Sequence, residues 1–135
     1  MSNIQKPDSE IMDVVGFIQK GGKIKPFLKD IFLIETYVAG LYYVDYIDDI
    51  FPLIRVKDKL DLFRESTNKF DEKAILVKYD GQKIGYVPRK DNEVLSSLMD
   101  GGKQLYGVVE SLGVDEVYEG YGTRFINFKI YLKEF

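Results

Sequence analysis

The spacing of apolar positions changes along the chain from helical to strand-like. In SEIMDVVGFIQKGG, residues 9–22, Ile11, Val14, Val15 and Ile18 recur at helical spacing between the capping residue Ser9 and the stop signal Gly21-Gly22. This spacing predicts a short amphipathic helix inside an N-terminal extension, residues 1–30, which packs on the main domain or on a partner. From Ile31 the pattern becomes that of strands. IFLIETYV, residues 31–38, is rich in β-branched and aromatic side chains and ends at Ala39-Gly40, the composition of a pleated, half-buried surface. DYIDDIF, residues 45–51, makes one helical turn before Pro52. In KLDLFRES, residues 59–66, Leu60 and Leu62 point inward, and the large apolar Phe63 on the other side predicts that this second face is covered too.

KAILVKYDGQKIGYVP, residues 73–88, reads as two strands joined at Asp80-Gly81, a pair whose tolerance of positive φ suits the type I′ turn that matches strand twist. DNEVLSSLMDGG, residues 91–102, reads as a helix capped by Asp91 or Asn92, burying Val94, Leu95, Leu98 and Met99 and ending at Gly101. QLYGVVESL and RFINFKIYLKEF add two strands, the second alternating Ile126, Phe128, Ile130 and Leu132 against Asn127, Lys129 and Lys133. Five to seven strands with one good helix and many Gly-centred turns predict a mainly β protein, a small closed or half-closed antiparallel barrel in residues 31–135. A two-layer sheet with helices on one face is the alternative.

Composition narrows the chemistry more than the fold. The 135 residues contain no Cys and no His, which removes disulfides, thiolate chemistry, the usual zinc ligands and the usual base of hydrolytic mechanisms. A non-enzymatic protein without cofactor or metal is the expectation. No apolar run approaches the ~18 residues of a membrane span, and MSNIQKPDSE lacks a basic stretch followed by an apolar one, so a soluble cytoplasmic protein is expected. The net charge of −3 argues against a strongly nucleic-acid-seeking surface. It is unevenly spread: residues 1–52 carry 5 basic and 8 acidic side chains, 53–90 carry 10 and 6, and 91–135 carry 4 and 8, giving −3, +4 and −4.

The positive segment also holds the candidate chemistry. Asn68 and Asp71 lie between two strand patterns, where their side chains hold a turn through nearby backbone N–H groups. An Asp fixed by its own turn at a barrel rim also offers a fixed acceptor to a ligand hydroxyl. Phe70 stands in a turn where a polar residue is expected, either as a plug for the barrel end or as a ring on which a base stacks. Tyr42 and Tyr43, with Tyr46 nearby, form a second aromatic cluster of which at least one ring faces water. Arg89 and Lys90 put positive charge at the end of the predicted hairpin. Asp45, Asp48 and Asp49 lack the loop pattern of a calcium site and read as a solvated acidic patch. GYGTRF contains G-x-G only, so no phosphate-cradling loop is indicated.

The segments VAGLYY (38–43), LDLFRESTNKFDEKAILV (60–77), KIGYVPRKDN (83–92) and LMDGG (98–102), in this order and spacing, resemble the HIRAN domain. That module occurs at the N-terminus of some Swi/Snf-like DNA translocases with ubiquitin-ligase activity and as short free-standing bacterial proteins. The resemblance implies an OB-like β-barrel with one or two helices, and, from its characterised eukaryotic members, binding of single-stranded DNA at a free 3′-hydroxyl end. It would make Asp71 the acceptor of the terminal 3′-OH, with Phe70 beside it in the end pocket. Tyr42 and Tyr43 would touch bases and backbone, Tyr86 and Arg89 would make further strand contacts, and a distal aromatic contact would come from Tyr118, Tyr121 or Phe125. Two departures matter: no Arg stands beside the tyrosines, and Tyr86 occupies a His position of the DNA-binding members.

Three readings follow. The leading one is a non-catalytic module for the 3′ end of single-stranded DNA, serving DNA repair or replication-fork processing, with a helicase or other DNA-processing protein as a further expected partner. The second is a protein-interaction or adaptor module without DNA affinity, motivated by the extension and by 19 Phe and Tyr residues. The third, a carboxylate nuclease using Asp71 and Glu65 with Mg²⁺, lacks any supporting acidic motif.

Overall fold

A computed structural model describes residues 29–118 and 121–134. Six strands form one antiparallel sheet: β1 (Ile31–Tyr37), β2 (Lys59–Arg64), β3 (Ile75–Tyr79), β4 (Gln82–Tyr86), β5 (Leu105–Tyr118) and β6 (Tyr121–Leu132). Their spatial order is β1-β6-β5-β2-β3-β4. Among the described residues two helices accompany them, the single turn α1 (Ile47–Ile50), followed by a 3-10 turn at Phe51–Leu53, and α2 (Arg89–Asp100). The expected N-terminal helix at residues 9–22 lies outside the described residues.

The sheet curls until its two edges meet at one point. Ala39, just beyond β1, and Tyr86, the last residue of β4, exchange backbone N–H···O bonds of 2.8 Å in each direction. Gly85 makes this approach possible, because a Cβ there would lie 2.3 Å from the Ala39 carbonyl oxygen and 2.6 Å from Val38 Cγ1. A methyl group would push the edges apart. The result is the half-barrel expected from the strand pattern, with the OB-like architecture that the family resemblance implies.

The core is the inward row of every strand: Leu60 and Leu62 of β2, Ile75 and Val77 of β3, Ile84 of β4, Val109 of β5, and Ile126, Phe128 and Ile130 of β6. Phe128 is the largest fully buried side chain, and Gly107 of β5 leaves room for its ring, which a Cβ would meet at 2.7 Å. The β3–β4 turn is as predicted, with φ of 49° at Asp80 and 82° at Gly81, both in the left-handed region that a type I′ turn requires.

Three local expectations need correction. The helix α2 begins at Arg89, with Pro88 as its N-cap and no side-chain cap, rather than at Asp91 or Asn92. Asp91 instead accepts a hydrogen bond from Thr36 Oγ1 at 2.7 Å, tying α2 to β1. The helix buries Leu95 as expected, with Leu98 and Met99 half-buried, but Val94 is exposed and Asn92 and Ser96 are enclosed instead. Capping three or four residues earlier leaves the periodicity unchanged, but the wall the helix meets is polar as well as apolar, and the row 92-95-96-99 faces it. Finally, Phe63 is 48% exposed rather than covered; the Lys78 ammonium lies 4.9 Å from its ring centre.

Candidate functional site

Residues 65–74 connect β2 to β3 through a loop that organises itself. Asn68 Oδ1 accepts from the backbone N–H of Phe70 at 2.8 Å and of Asp71 at 3.0 Å. Asp71 Oδ1 in turn accepts from the Lys73 N–H at 3.0 Å, and the Ala74 N–H donates to the Asp71 carbonyl at 3.0 Å. These are Asx-type turns of the kind the sequence predicts. Their consequence is positional: Phe70 is held outward, 86% exposed, while the Asp71 carboxylate turns toward the barrel.

Tertiary contacts then fix that carboxylate. Asn92, on α2 and only 3% exposed, donates from Nδ2 to Asp71 Oδ2 at 2.7 Å. Arg89 Nε lies 3.6 Å from the same oxygen, and the Arg89 guanidinium also donates to the Phe70 carbonyl. Burial pushes the Asp71 pKa up, but the hydrogen bonds from Asn92 and the Lys73 N–H, with the charges of Arg89 and Lys73, outweigh it and leave it below the ordinary value. Asp71 is therefore an anion at neutral pH. A carboxylate offers about four lone-pair sites, and these partners leave it acceptor capacity for a further donor.

Tyr86 belongs to a second network under the same loop. Its hydroxyl donates to Glu65 Oε1 at 2.7 Å, and Asn68 Nδ2 donates to that same oxygen at 2.7 Å. These two bonds, Tyr86 first, hold the Glu65 carboxyl below its ordinary pKa. The Lys83 ammonium lies 4.7 Å from the centre of the Tyr86 ring. Ala39, Asn68, Phe70, Asp71, Ala74, Tyr86, Val87 and Arg89 together line a cleft of about 240 Å³.

A second, larger cleft of about 670 Å³ adjoins it. Its lining includes Ala39, shared with the first, and Tyr42, Tyr43, Arg124, Phe125 and Asn127. Gly40, with φ of 83°, turns the chain into a 3-10 turn at Leu41–Tyr43. Leu41 is the buried anchor of that turn. Tyr42 and Tyr43 project from it, 88% and 84% exposed, with their rings edge to face at 5.5 Å. Arg124 pairs with Asp48, so one member of the acidic patch neutralises a cation at the cleft.

The structure thus gathers Phe70, Asp71, Tyr86 and Arg89 around one cleft and Tyr42 and Tyr43 on the next. Phe125 lines the larger cleft, while the side chains of Tyr118 and Tyr121 fall outside the described ones. Sequence reasoning missed Asn92 as an Asp71 partner. The signal was present, since a polar residue on the inward face of a helix needs a buried partner. It missed the Glu65–Tyr86 bond as well, for which nothing in the local sequence gave a cue.

Comparison with known proteins adds a family and a fold. The family model for the HIRAN domain matches residues 31–134. A Lactobacillus plantarum protein, known from a crystal structure determined in structural genomics, is 30% identical and superposes with a TM-score of 0.68, covering 80% of this chain and 99% of that one. The crystal structure of the HIRAN domain of human HLTF is 20% identical with a TM-score of 0.51, covering 78% and 81%. No curated protein gives a significant match.

Proposed function

The chain belongs to the HIRAN domain family, in general a family of DNA-binding modules, and on that premise we propose that it is a non-catalytic module recognising the 3′-hydroxyl end of single-stranded DNA. The observation that carries this reading is the Asp71 carboxylate, held ionised by Asn92, the Lys73 N–H and Arg89 in a cleft walled by the exposed ring of Phe70. A terminal hydroxyl donates a hydrogen bond to such an oxygen; a terminal phosphate lacks that donor and adds like charge. Phe70 offers the terminal base a stacking surface, and Arg89, 70% exposed in its side chain, reaches a phosphate one step away.

The rest of the strand has a path. Ala39 lines both clefts, so a strand whose last nucleotide sits beside Asp71 runs over the Ala39–Gly40 backbone toward Tyr42 and Tyr43, whose open rings take bases by stacking. Sparse cation density makes this binding weak in phosphate contacts, and affinity falls with salt along a shallow slope. A helicase or another DNA-processing protein would present such an end, in DNA repair or replication-fork processing.

Fluorescence anisotropy of a labelled short strand at low salt tests the reading. Wild-type protein should prefer a 3′-hydroxyl over a 3′-phosphate, and Asp71→Ala should abolish the preference while circular dichroism stays native. Equal affinity for the two ends in the wild type refutes end recognition. Absence of binding to either oligonucleotide moves the function to a protein partner.

A further inference from the structure

The outer face of the sheet carries rings and cations that the two clefts do not use. Strand register sets Lys78, Asp61, Tyr106, Tyr131 and Phe32 side by side across β3, β2, β5, β6 and β1. The rings of Tyr106 and Tyr131 stack at 5.6 Å, and Tyr131 meets Phe32 edge-on at 5.8 Å, so the two half-buried tyrosines form a floor. Phe63 on β2 and Phe32 on β1 flank it, each about half exposed. A sheet face that meets only water alternates to polar residues; rings in series mark a face that meets a ligand or partner.

Cations stand among these rings. The Lys78 ammonium lies 4.9 Å from the Phe63 ring centre, Lys59 5.7 Å from that of Tyr106 and Lys129 5.9 Å from that of Phe32. Beside Phe63 the face dips into a cleft of about 320 Å³, whose lining includes Lys59, Arg64, Lys103, Tyr106 and Lys133. Several of the cations are compensated: Lys59 pairs with Asp61 at 3.8 Å, Lys129 with Glu110 at 3.4 Å and Arg64 with Asp100 at 2.8 Å, and Lys133 acts on the charge of Asp30. Lys78 and Lys103 are not. Among the described residues neither has an ion pair, so positive charge is left over on both sides of Phe63.

We infer that this face is a second binding surface for single-stranded DNA, one that holds an internal stretch of the strand without reading an end. A single strand offers flat bases and anionic phosphates in alternation, and it is held where stacking rings alternate with cations. Phe63 and Phe32 supply the rings; Lys78 and Lys103 supply the charge. A sheet face set with exposed rings holds about two or three bases in this way. The rings favour a single strand over a duplex, whose bases are already stacked on one another and offer no free face. An acidic protein segment would engage the lysines and leave the rings uncovered. The polymer is DNA because the chain belongs to a family of DNA-binding modules. Neither Asp71 nor the tyrosine turn takes part, so this surface stands apart from the 3′-end reading.

The probe is a circular oligothymidylate, which has no 3′ end. Added at low salt to the full-length, ¹⁵N-labelled chain, it should shift the amides of Phe32, Phe63, Lys78 and Tyr106, and added salt should reverse the shifts. Lys78→Gln combined with Lys103→Gln should weaken its binding roughly tenfold in fluorescence anisotropy and lower the salt slope by about 2, one for each lost phosphate contact. Phe63→Ala should weaken it about fivefold, the lower end for stacking on a half-exposed ring, with the melting temperature unchanged. Shifts confined to Tyr42, Tyr43 and Phe70, or none anywhere, overturn the inference. So does an equal response to polyglutamate, because charge alone then explains it. Shifts on this face that follow protein concentration without oligonucleotide overturn it too, because the occupant is then a second copy, and a circular RNA bound more tightly overturns the assignment to DNA. The two readings fail separately. If Asp71 does not read a 3′ end, a linear strand shows no hydroxyl preference and the circle still binds; if this face is no platform, the preference stands and the circle leaves the face unmoved.

Discussion

The two adjoining clefts are built in opposite ways. Around Asp71, polar atoms are tied to partners from three directions: the loop itself through Asn68 and Lys73, the helix α2 through Asn92, and the end of β4 through Tyr86 and Glu65. The tyrosine turn has one buried side chain, Leu41, and two rings in contact with each other and with water. A fixed acceptor discriminates, because a ligand lacking the matching donor leaves it unsatisfied; open rings attract without discriminating, because every base has a face to stack. On the proposed function, selectivity would belong to the first cleft and sequence-tolerant affinity to the second.

Separating the two regions by mutation tests that division. The largest effect should come from Gly85→Val, which disrupts the Ala39–Tyr86 bridge on which both clefts depend. The Cβ overlap with the Ala39 carbonyl should cost about 3 kcal/mol, the upper end of overpacking penalties, visible as a lower urea midpoint, and both binding functions should fall together. A variant of native stability would show that the edges do not need to meet.

Asp71→Ala should come next and act on one cleft alone. Losing a hydrogen bond to a charged acceptor is worth about 1.5 to 3 kcal/mol, so the preference for a 3′-hydroxyl should drop by roughly tenfold or more in competition anisotropy. Tyr42→Ala and Tyr43→Ala should each weaken binding of either end by about 1 kcal/mol, the lower end for stacking because both rings are open to water. The ratio of hydroxyl to phosphate affinity should stay unchanged; a changed ratio would merge the two clefts into one functional unit.

The smallest effect is a pH dependence confined to the first cleft. The Tyr86 hydroxyl, and then Asn68, depress the Glu65 pKa. A carboxylate depressed by folding contributes stability that is complete above the ordinary carboxylate range and is lost as pH falls through it toward the folded-state value. Acid titration of the melting temperature should therefore be less steep in Glu65→Gln than in wild type below about pH 4.5, with no difference between pH 6 and 8.

The legibility of the chain follows the reach of its interactions. The Asp80-Gly81 hairpin, the alternation of Ile126, Phe128 and Ile130, and the turn roles of Asn68 and Asp71 were readable because each depends on residues a few positions apart. The start of α2 was misplaced because Asp91, a sound cap by local rules, is engaged 55 positions away by Thr36. Val94 was read as core and Phe63 as covered because apolar character in sequence does not say which face another element lies on.

By itself the sequence determined the strand periodicity, the turns, the family and the small set of polar and aromatic residues proposed as the site. Only tertiary structure decided that β1 and β4 meet at Ala39 and Tyr86, and that Asn92 and Arg89 converge on Asp71 from a helix. The physical reason is that dihedral preferences and hydrophobic spacing act over a few residues and leave their mark on neighbouring letters. Sheet closure and carboxylate positioning depend on how the whole curvature of six strands brings distant backbone into contact.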